Sequence, residues 1–419
     1  MATTFLPSQI GEVSSDHLPY TGETSSLLYH DLALVLKYFT FVPGILLPWN
    51  TWPSGPLDEL YPSAKNIYCV VIHTFLVLFQ FAFLVSLFFS LAFPFGWVCL
   101  YVIVVILVNR SFCALLNQGA SGLTSSVEIE DDGSHDDEYW IFLNGVAVGK
   151  HWMQANLDRL ALTFRRTIHG VHNPTTGIIF DLFQCIVERV FCYCTQDVRD
   201  SYSLIKAALL NDKYRKVILV LHSQGGLEGS LIIDWLLDEI PRDVLGRLEV
   251  YTFGCAANHF NNPHHKLGTL REDSKKGSSG RLSKAIRHIE HYANSGDFVS
   301  RWGVLSFTSV SGRFEGRLFA RPGRGHLFNQ HYLNSMFPLD KERKKVVENE
   351  GLMNMEVALA PNEDDNPPKK GMSRRESLIS SLHTGHNVPA EETAIEAYRI
   401  RTRDLSRLWA YRNGMVPDD

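Results

Sequence analysis

The sharpest change in the hydrophobic pattern lies between Asn66 and Asn109, where 44 consecutive residues include no Asp, Glu, Lys or Arg. A helix crossing a bilayer needs about 20 apolar residues at about 1.5 Å rise each, so this run suffices for two passes. Pro94-Phe95-Gly96 interrupts it, and proline closely followed by glycine breaks a helix and turns the chain. The pattern predicts a membrane hairpin with Ile67 to Leu91 as its first arm and Trp97 to Val108 as a shorter second arm. One span plus an interfacial piece, or a monotopic hairpin that dips in and returns, fits the same length. The weaker apolar stretch Leu32 to Trp49 is interrupted by Lys37, Pro43 and Pro48 and reads either as an interfacial helix or as an ordinary amphipathic segment.

Beyond the apolar run the pattern becomes that of a globular domain. Glu128 to Glu138 carries seven acidic residues in eleven and no basic one, which reads as a solvated linker. Then β-rich runs alternate with helical ones. Tyr139 to Leu143, Lys216 to Leu221 and Leu248 to Phe253 read as strands, and Trp152 to Phe164, Phe180 to Leu210 and Leu227 to Leu237 as helix. Such alternation predicts an α/β domain with a mostly parallel sheet and helices on both faces. The expected organisation is an N-terminal region 1–65, partly disordered, the membrane segment 66–109, an acidic linker 110–133 and the α/β domain 134–350. A basic insertion at 264–287, a polar linker 351–388 and a C-terminal helix in 389–419 complete it, with Ile395, Tyr398, Leu405 and Leu408 on one face of that helix.

Composition and charge narrow the function classes. A net charge of -5 and a pI near 6.4 give no global attraction for nucleic acid, and none is expected as a partner. The seven scattered cysteines do not make a secreted disulfide framework. Cys192-x-Cys194 is half a metal site without a second half at ligand spacing, so no metal is expected. The insertion, with seven basic and two acidic residues from Lys266 onward, could meet anionic headgroups or remain a solvated loop. Lys37 and Lys65 on one side of the apolar run and Arg110 on the other favour both chain ends on the cytosolic side of an endomembrane, such as the endoplasmic reticulum or a lipid droplet.

The strongest chemical signal is Leu221-His222-Ser223-Gln224-Gly225-Gly226 between a hydrophobic strand and a helix. A serine on a sharp strand-to-helix turn holds its Oγ clear of the backbone, beside the positive end of the helix. The segment resembles the nucleophile elbow of α/β-hydrolases, G-x-S-x-G, with Leu221 in place of the first glycine. That departure supports an alternative reading, a catalytically inactive hydrolase-like membrane scaffold or binding module. The simplest reading without chemistry is a helix N-terminus capped by Ser223. The resemblance implies an oxyanion hole from the backbone N–H groups of Gln224 and Val146, the latter just after the strand ending in Asn144-Gly145.

Serine at neutral pH needs a histidine to take its proton and a carboxylate to orient that histidine. In hydrolases of this kind the acid and then the histidine follow the serine in the chain. Asn294-Ser-Gly-Asp297-Phe-Val offers the acid, with a plain turn aspartate as the other reading. Gly325-His326 offers the base, with His331 as the alternative; His326 follows a glycine loop, where a mobile histidine belongs. Together with Tyr251-Thr-Phe-Gly254 and Tyr332, these blocks resemble the order found in class 3 lipases, over about 200 residues of the 419. The whole arrangement is also similar to membrane-associated hydrolase-like proteins of filamentous fungi. The resemblance implies a membrane-tethered serine esterase or lipase that needs no cofactor, with a lipid or other acyl ester as substrate and the lipid bilayer as partner.

Overall fold

The computed structural model of the chain describes residues 2–6, 22–49, 52–118, 122–129, 135–263, 284–308, 313–359 and 400–418. In chain order the main elements are β1 (Thr3–Leu6), α1 (Thr24–Tyr38), α2 (Ala64–Ser90), α3 (Phe95–Asn117), β2 (Gly122–Thr124), β3 (Glu138–Leu143), α4 (Lys150–Phe164), β4 (Ile168–Val171), α5 (Ile178–Phe191), α6 (Gln196–Leu210), β5 (Lys216–His222), α7 (Gln224–Glu239), β6 (Leu248–Phe253), β7 (His288–Asn294), β8 (Arg317–Arg321) and β9 (Val357–Leu359). The strands form one sheet in the order β2-β4-β3-β5-β6-β7-β8-β1-β9. From β4 to β8 the pairing is parallel throughout, while β2 and β1 join antiparallel to β4 and β8. The fold is thus α/β with a mostly parallel mixed sheet.

Both faces of the sheet are covered, which explains why its central strands are continuously apolar and not alternating. Along β5, Val217, Leu219 and Leu221 join one buried cluster with side chains of α5, α6 and α7. Ile218 and Val220, between them, join a second cluster with Trp152, Met153 and Leu157 of α4. A strand's side chains alternate between faces, so each core receives every second residue.

The sheet reaches beyond the expected 134–350. Residues 3–6 pair with β8 and β9, because Phe5 fills the α4-side core, and β2 and β9 extend the two edges. The expected single helix Phe180 to Leu210 is two helices, interrupted at Cys192, whose φ of 50° lies in the left-handed region. The expected C-terminal helix is, over 400–418, a short helix Thr402–Leu405 followed by a 3-10 turn Leu408–Gly414. That turn bends inward because Leu408, Trp409 and Tyr411 are core residues. Ile395, Tyr398, the linker 361–387 and residues 264–283 of the insertion lie outside the described residues. The end of the insertion is not loop-like, since Ala285 and Ile286 are fully buried.

The apolar run forms two helices, each long and apolar enough to cross a membrane. The second is not short: it continues through Arg110 to Asn117, because that charge is on the exposed side of the helix. On α2 the buried residues are Asn66, Cys69, His73, Leu76 and Gln80, a stripe at helical spacing that faces the domain. His73 stacks on Trp152 of α4, ring centroids 5.2 Å apart. Gln80 Nε2 donates to Asn109 Oδ1 of α3 at 2.9 Å and to the Thr176 carbonyl at 2.7 Å, and its Oε1 accepts from Ile179 N. Gly177 permits this approach: its φ is 98°, and a Cβ there would lie 2.1 Å from Gln80 Nε2.

Replacing Gln80 by leucine leaves the Ile179 N–H and Asn109 Oδ1 without this partner, a loss on the order of 1–3 kcal/mol. The thermal midpoint of the full chain in detergent should therefore drop in Gln80→Leu. An unchanged midpoint would show that the base of the hairpin is held by apolar packing alone.

Candidate active site

The turn between β5 and α7 places Ser223 at φ 58° and ψ -119°. A non-glycine residue in this region is strained by about 1–3 kcal/mol and persists only where its surroundings impose it. Those surroundings are close. A Cβ on Gly145 would lie 2.4 Å from Ser223 Cβ, and one on Gly225 would lie 2.6 Å from the Leu143 carbonyl oxygen. The loop after β3, which contains Val146, thus passes directly over Ser223.

Leu221 occupies the position where the elbow pattern has glycine, and its side chain is fully buried. Space for it is made across the interface, at Gly229 on α7, where a Cβ would lie 2.3 Å from Leu221 Cδ1. The small residue stands on the helix here, and the turn at Ser223 is tight.

Ser223 Oγ lies 2.8 Å from His326 Nε2, and His326 Nδ1 lies 2.8 Å from Asp297 Oδ2. A carboxylate only accepts, so Nδ1 carries the proton and Nε2 is left to accept from the serine hydroxyl. Gly254 at the end of β6, with φ 57°, clears room for this pair; a Cβ there would lie 2.9 Å from His326 Cε1 and 3.1 Å from Asp297 Oδ2. Asp297 Oδ2 also accepts from Tyr332 OH at 2.7 Å and from Ser300 Oγ at 2.8 Å, while its Oδ1 accepts from Val299 N. Burial alone would raise the Asp297 pKa, but His326, Tyr332 and Ser300 hold it below the usual carboxylate range.

The two histidines in question have different partners. His331 Nε2 donates to the Pro48 carbonyl and Nδ1 accepts from Leu327 N, so both of its ring nitrogens are committed away from Ser223. The loop carrying His326 is pinned from the N-terminal region: Gly325 N and His326 N donate to the carbonyls of Gly44 and Ile45, and Glu59 accepts from Asn329 N and Gln330 N. His222 Nε2 donates to the His326 carbonyl at 2.8 Å.

The loop between β3 and α4 is fixed by a second carboxylate. Asp181 of α5 accepts from Ala147 N at 3.0 Å and from Thr175 and Thr176. Ala147 itself has φ 61°, and two residues before it Gly145 lies against Ser223. Gln224 begins α7, and its side-chain amide donates to Glu188 of α5. Asn144 ties the ends of β3 and β4 together, accepting from Asn173 N and donating to its carbonyl.

Among the described residues, Glu188, Asp197 and Glu228 bring ligand atoms within 4.8 Å of one another. Glu188 already accepts from Gln224 and Thr195, and Glu228 from Asn173. Burial, then the nearby Asp197 and Glu188, push the Glu228 pKa well above the usual carboxylate range. Cys192 and Cys194 form no such group; the Cys194 thiol points to the Cys192 carbonyl.

The sequence pattern missed several of these residues. Tyr332 marked a block without a role, Ser300 and Asp181 carried no signal, and the bonds from Gly44, Ile45 and Glu59 arise in a segment with little pattern of its own. Neither protein-family models nor curated proteins yield a match to this chain.

Burial lowers the pKa of His222 to about 3 and of His288, His291 and His331 to about 4, so these rings are neutral when folded. In the unfolded chain they take up protons near pH 6.5. Their contribution to stability is complete above that pH and is lost as pH falls toward 4. The urea midpoint should therefore decline between pH 6.5 and 4.5. A midpoint that rises over this window would contradict neutral burial.

Proposed function

We propose that this chain is a membrane-tethered serine hydrolase of the α/β-hydrolase type that cleaves acyl esters. The observation that carries the reading is the continuous chain of 2.8 Å contacts from Ser223 through His326 to Asp297, built on a strained strand-to-helix turn. Hydrogen bonds of this kind between serine, histidine and a buried carboxylate are what an activated hydroxyl requires.

In the proposed reaction His326 Nε2 takes the Ser223 proton as Oγ attacks the ester carbonyl carbon. The developing oxyanion is met by the backbone N–H groups of Gln224 and Val146, held in place beforehand so that little reorganisation is needed. The imidazolium is stabilised by Asp297, whose charge is fixed by Tyr332 and Ser300. His326 then protonates the leaving alcohol, and the acyl group remains on Ser223. A water, deprotonated by the same nitrogen, attacks the acyl carbon and releases the acid and the free serine. A lipid acyl ester is the substrate class suggested by the two apolar helices.

Members of such a triad act as one unit, so their losses do not add. On a short soluble acyl ester, Ser223→Ala and His326→Ala should each lower kcat by about 10⁴ to 10⁶, with the double variant no worse. His331→Ala should keep the greater part of the activity of any folded protein. Full activity in Ser223→Ala, or in His326→Ala with loss only in His331→Ala, would refute the assignment.

A further inference from the structure

α5 has an inverted amphipathic character. Its charged residues, Asp181, Glu188 and Arg189, are all buried, whereas Leu182, Phe183, Val187 and Phe191 are exposed. Each buried charge is used at the site or beside it. Asp181 fixes the Ala147 loop, Glu188 holds the Gln224 side chain, and Arg189 donates to the carbonyls of Ala256 and Trp302. These partners lie at the carboxyl ends of β3, β5, β6 and β7, so α5 runs along the end of the sheet that carries Ser223 with its apolar side outward.

α1 adjoins α5 through the buried Asp31–Arg189 ion pair at 3.0 Å and also turns apolar residues outward, among them Leu32 and Leu36, with Phe39 exposed just after it. Its Lys37 has a long stem on which the charge can reach an interface. Next to α5 on its other side, Phe180 meets Phe83 of α2, ring centroids 6.2 Å apart. Outside α2, α3 and their connection, exposed large apolar side chains among the described residues fall only within 29–49 and 182–193, apart from Leu210, Met415 and Val416. Scattered exposed leucines need no explanation, but segregation to one pole marks an interaction surface.

Resting on the membrane-tether reading, we infer that the exposed faces of α1 and α5 are a second, interfacial lipid-binding surface, which sets the mouth of the Ser223 site against the bilayer. Continuity with the hairpin identifies the occupant as a lipid bilayer, since the two faces extend an apolar surface that α2 begins. The buried stripe of α2 ends at Gln80 and that of α3 starts at Val105, so the hairpin's base is docked on the domain and its tip projects beyond it. With the α1 and α5 faces at the interface, the tip dips from there into the hydrocarbon, and a lipid ester enters the site from the bilayer side.

The test uses the full chain with Cys99 and Cys192 replaced by alanine, reconstituted into phosphatidylcholine vesicles and carrying one environment-sensitive NBD label on cysteine at Leu36, Phe183, Leu78 or Lys213. Nitroxide-labelled phosphatidylcholine should quench the labels at Leu36, Phe183 and Leu78 several-fold and leave Lys213 unchanged. Quenching at Leu78 without quenching at Leu36 and Phe183 would overturn the inference and leave the tether standing. No quenching at any position would remove the tether with it. Labels at Leu36 and Phe183 that are shielded only by cross-linkable copies of the chain would assign the surface to self-association instead. In parallel, Leu36→Glu with Phe183→Glu should slow hydrolysis of a vesicle-embedded long-chain ester at least tenfold and change hydrolysis of a soluble short ester less than twofold. Equal loss on both esters would show a structural defect. A wild type inactive on both would refute the hydrolase reading, while the quenching result would still decide the surface.

Discussion

A carboxylate with no access to water must be met by donors, and Asp297 determines where those donors lie. Its four hydrogen bonds come from Val299 and Ser300 of the short helix Phe298–Trp302 that it caps, from His326, and from Tyr332. Meeting that charge fixes the distance between the loops after β7 and β8. Asn294 repeats the constraint one turn earlier by donating to the Gly325 carbonyl. With His326 so held, Ser223 meets its Nε2 from a turn at positive φ, and that turn requires Gly145 and Gly225. The strain at Ser223 is thus supported by a network that a single buried charge organises.

Much of this was legible in the sequence, and the reasons are local. β5 and α7 announce themselves through six consecutive buried positions and a glycine pair after Ser223, and Asp297 and His326 sit in polar loops after strands. Contacts made at long separation were not legible. β1 is four residues long and becomes a strand only because β8 and β9 flank it. The pinning of His326 by Gly44 and Ile45 uses backbone carbonyls, which any residue supplies. Leu221 looked like a defect in the elbow because the compensating Gly229 lies eight positions later, on the helix that packs against it.

The elements with exposed apolar faces show the same division. Absence of charge marked α2 and α3 at once, but a charge-free count ended the second helix at Arg110, although one exposed charge does not stop a helix. In α5 the sequence is ordinary, with three charges in fourteen residues, and only the direction in which those charges point separates it from an amphipathic helix with its charges in solvent. Direction is a property of packing, and here packing turns the charges toward the loops around Ser223.

The central claim is that Ser223 is an activated nucleophile, and covalent trapping addresses it most directly. The folded chain is treated with a fluorophosphonate and digested, and the adduct is located by mass spectrometry. The account predicts one phosphonyl group on the peptide carrying Ser223, absent after denaturation before treatment and strongly reduced in His326→Ala. A folded protein that remains unmodified, or is modified at another residue, would contradict it.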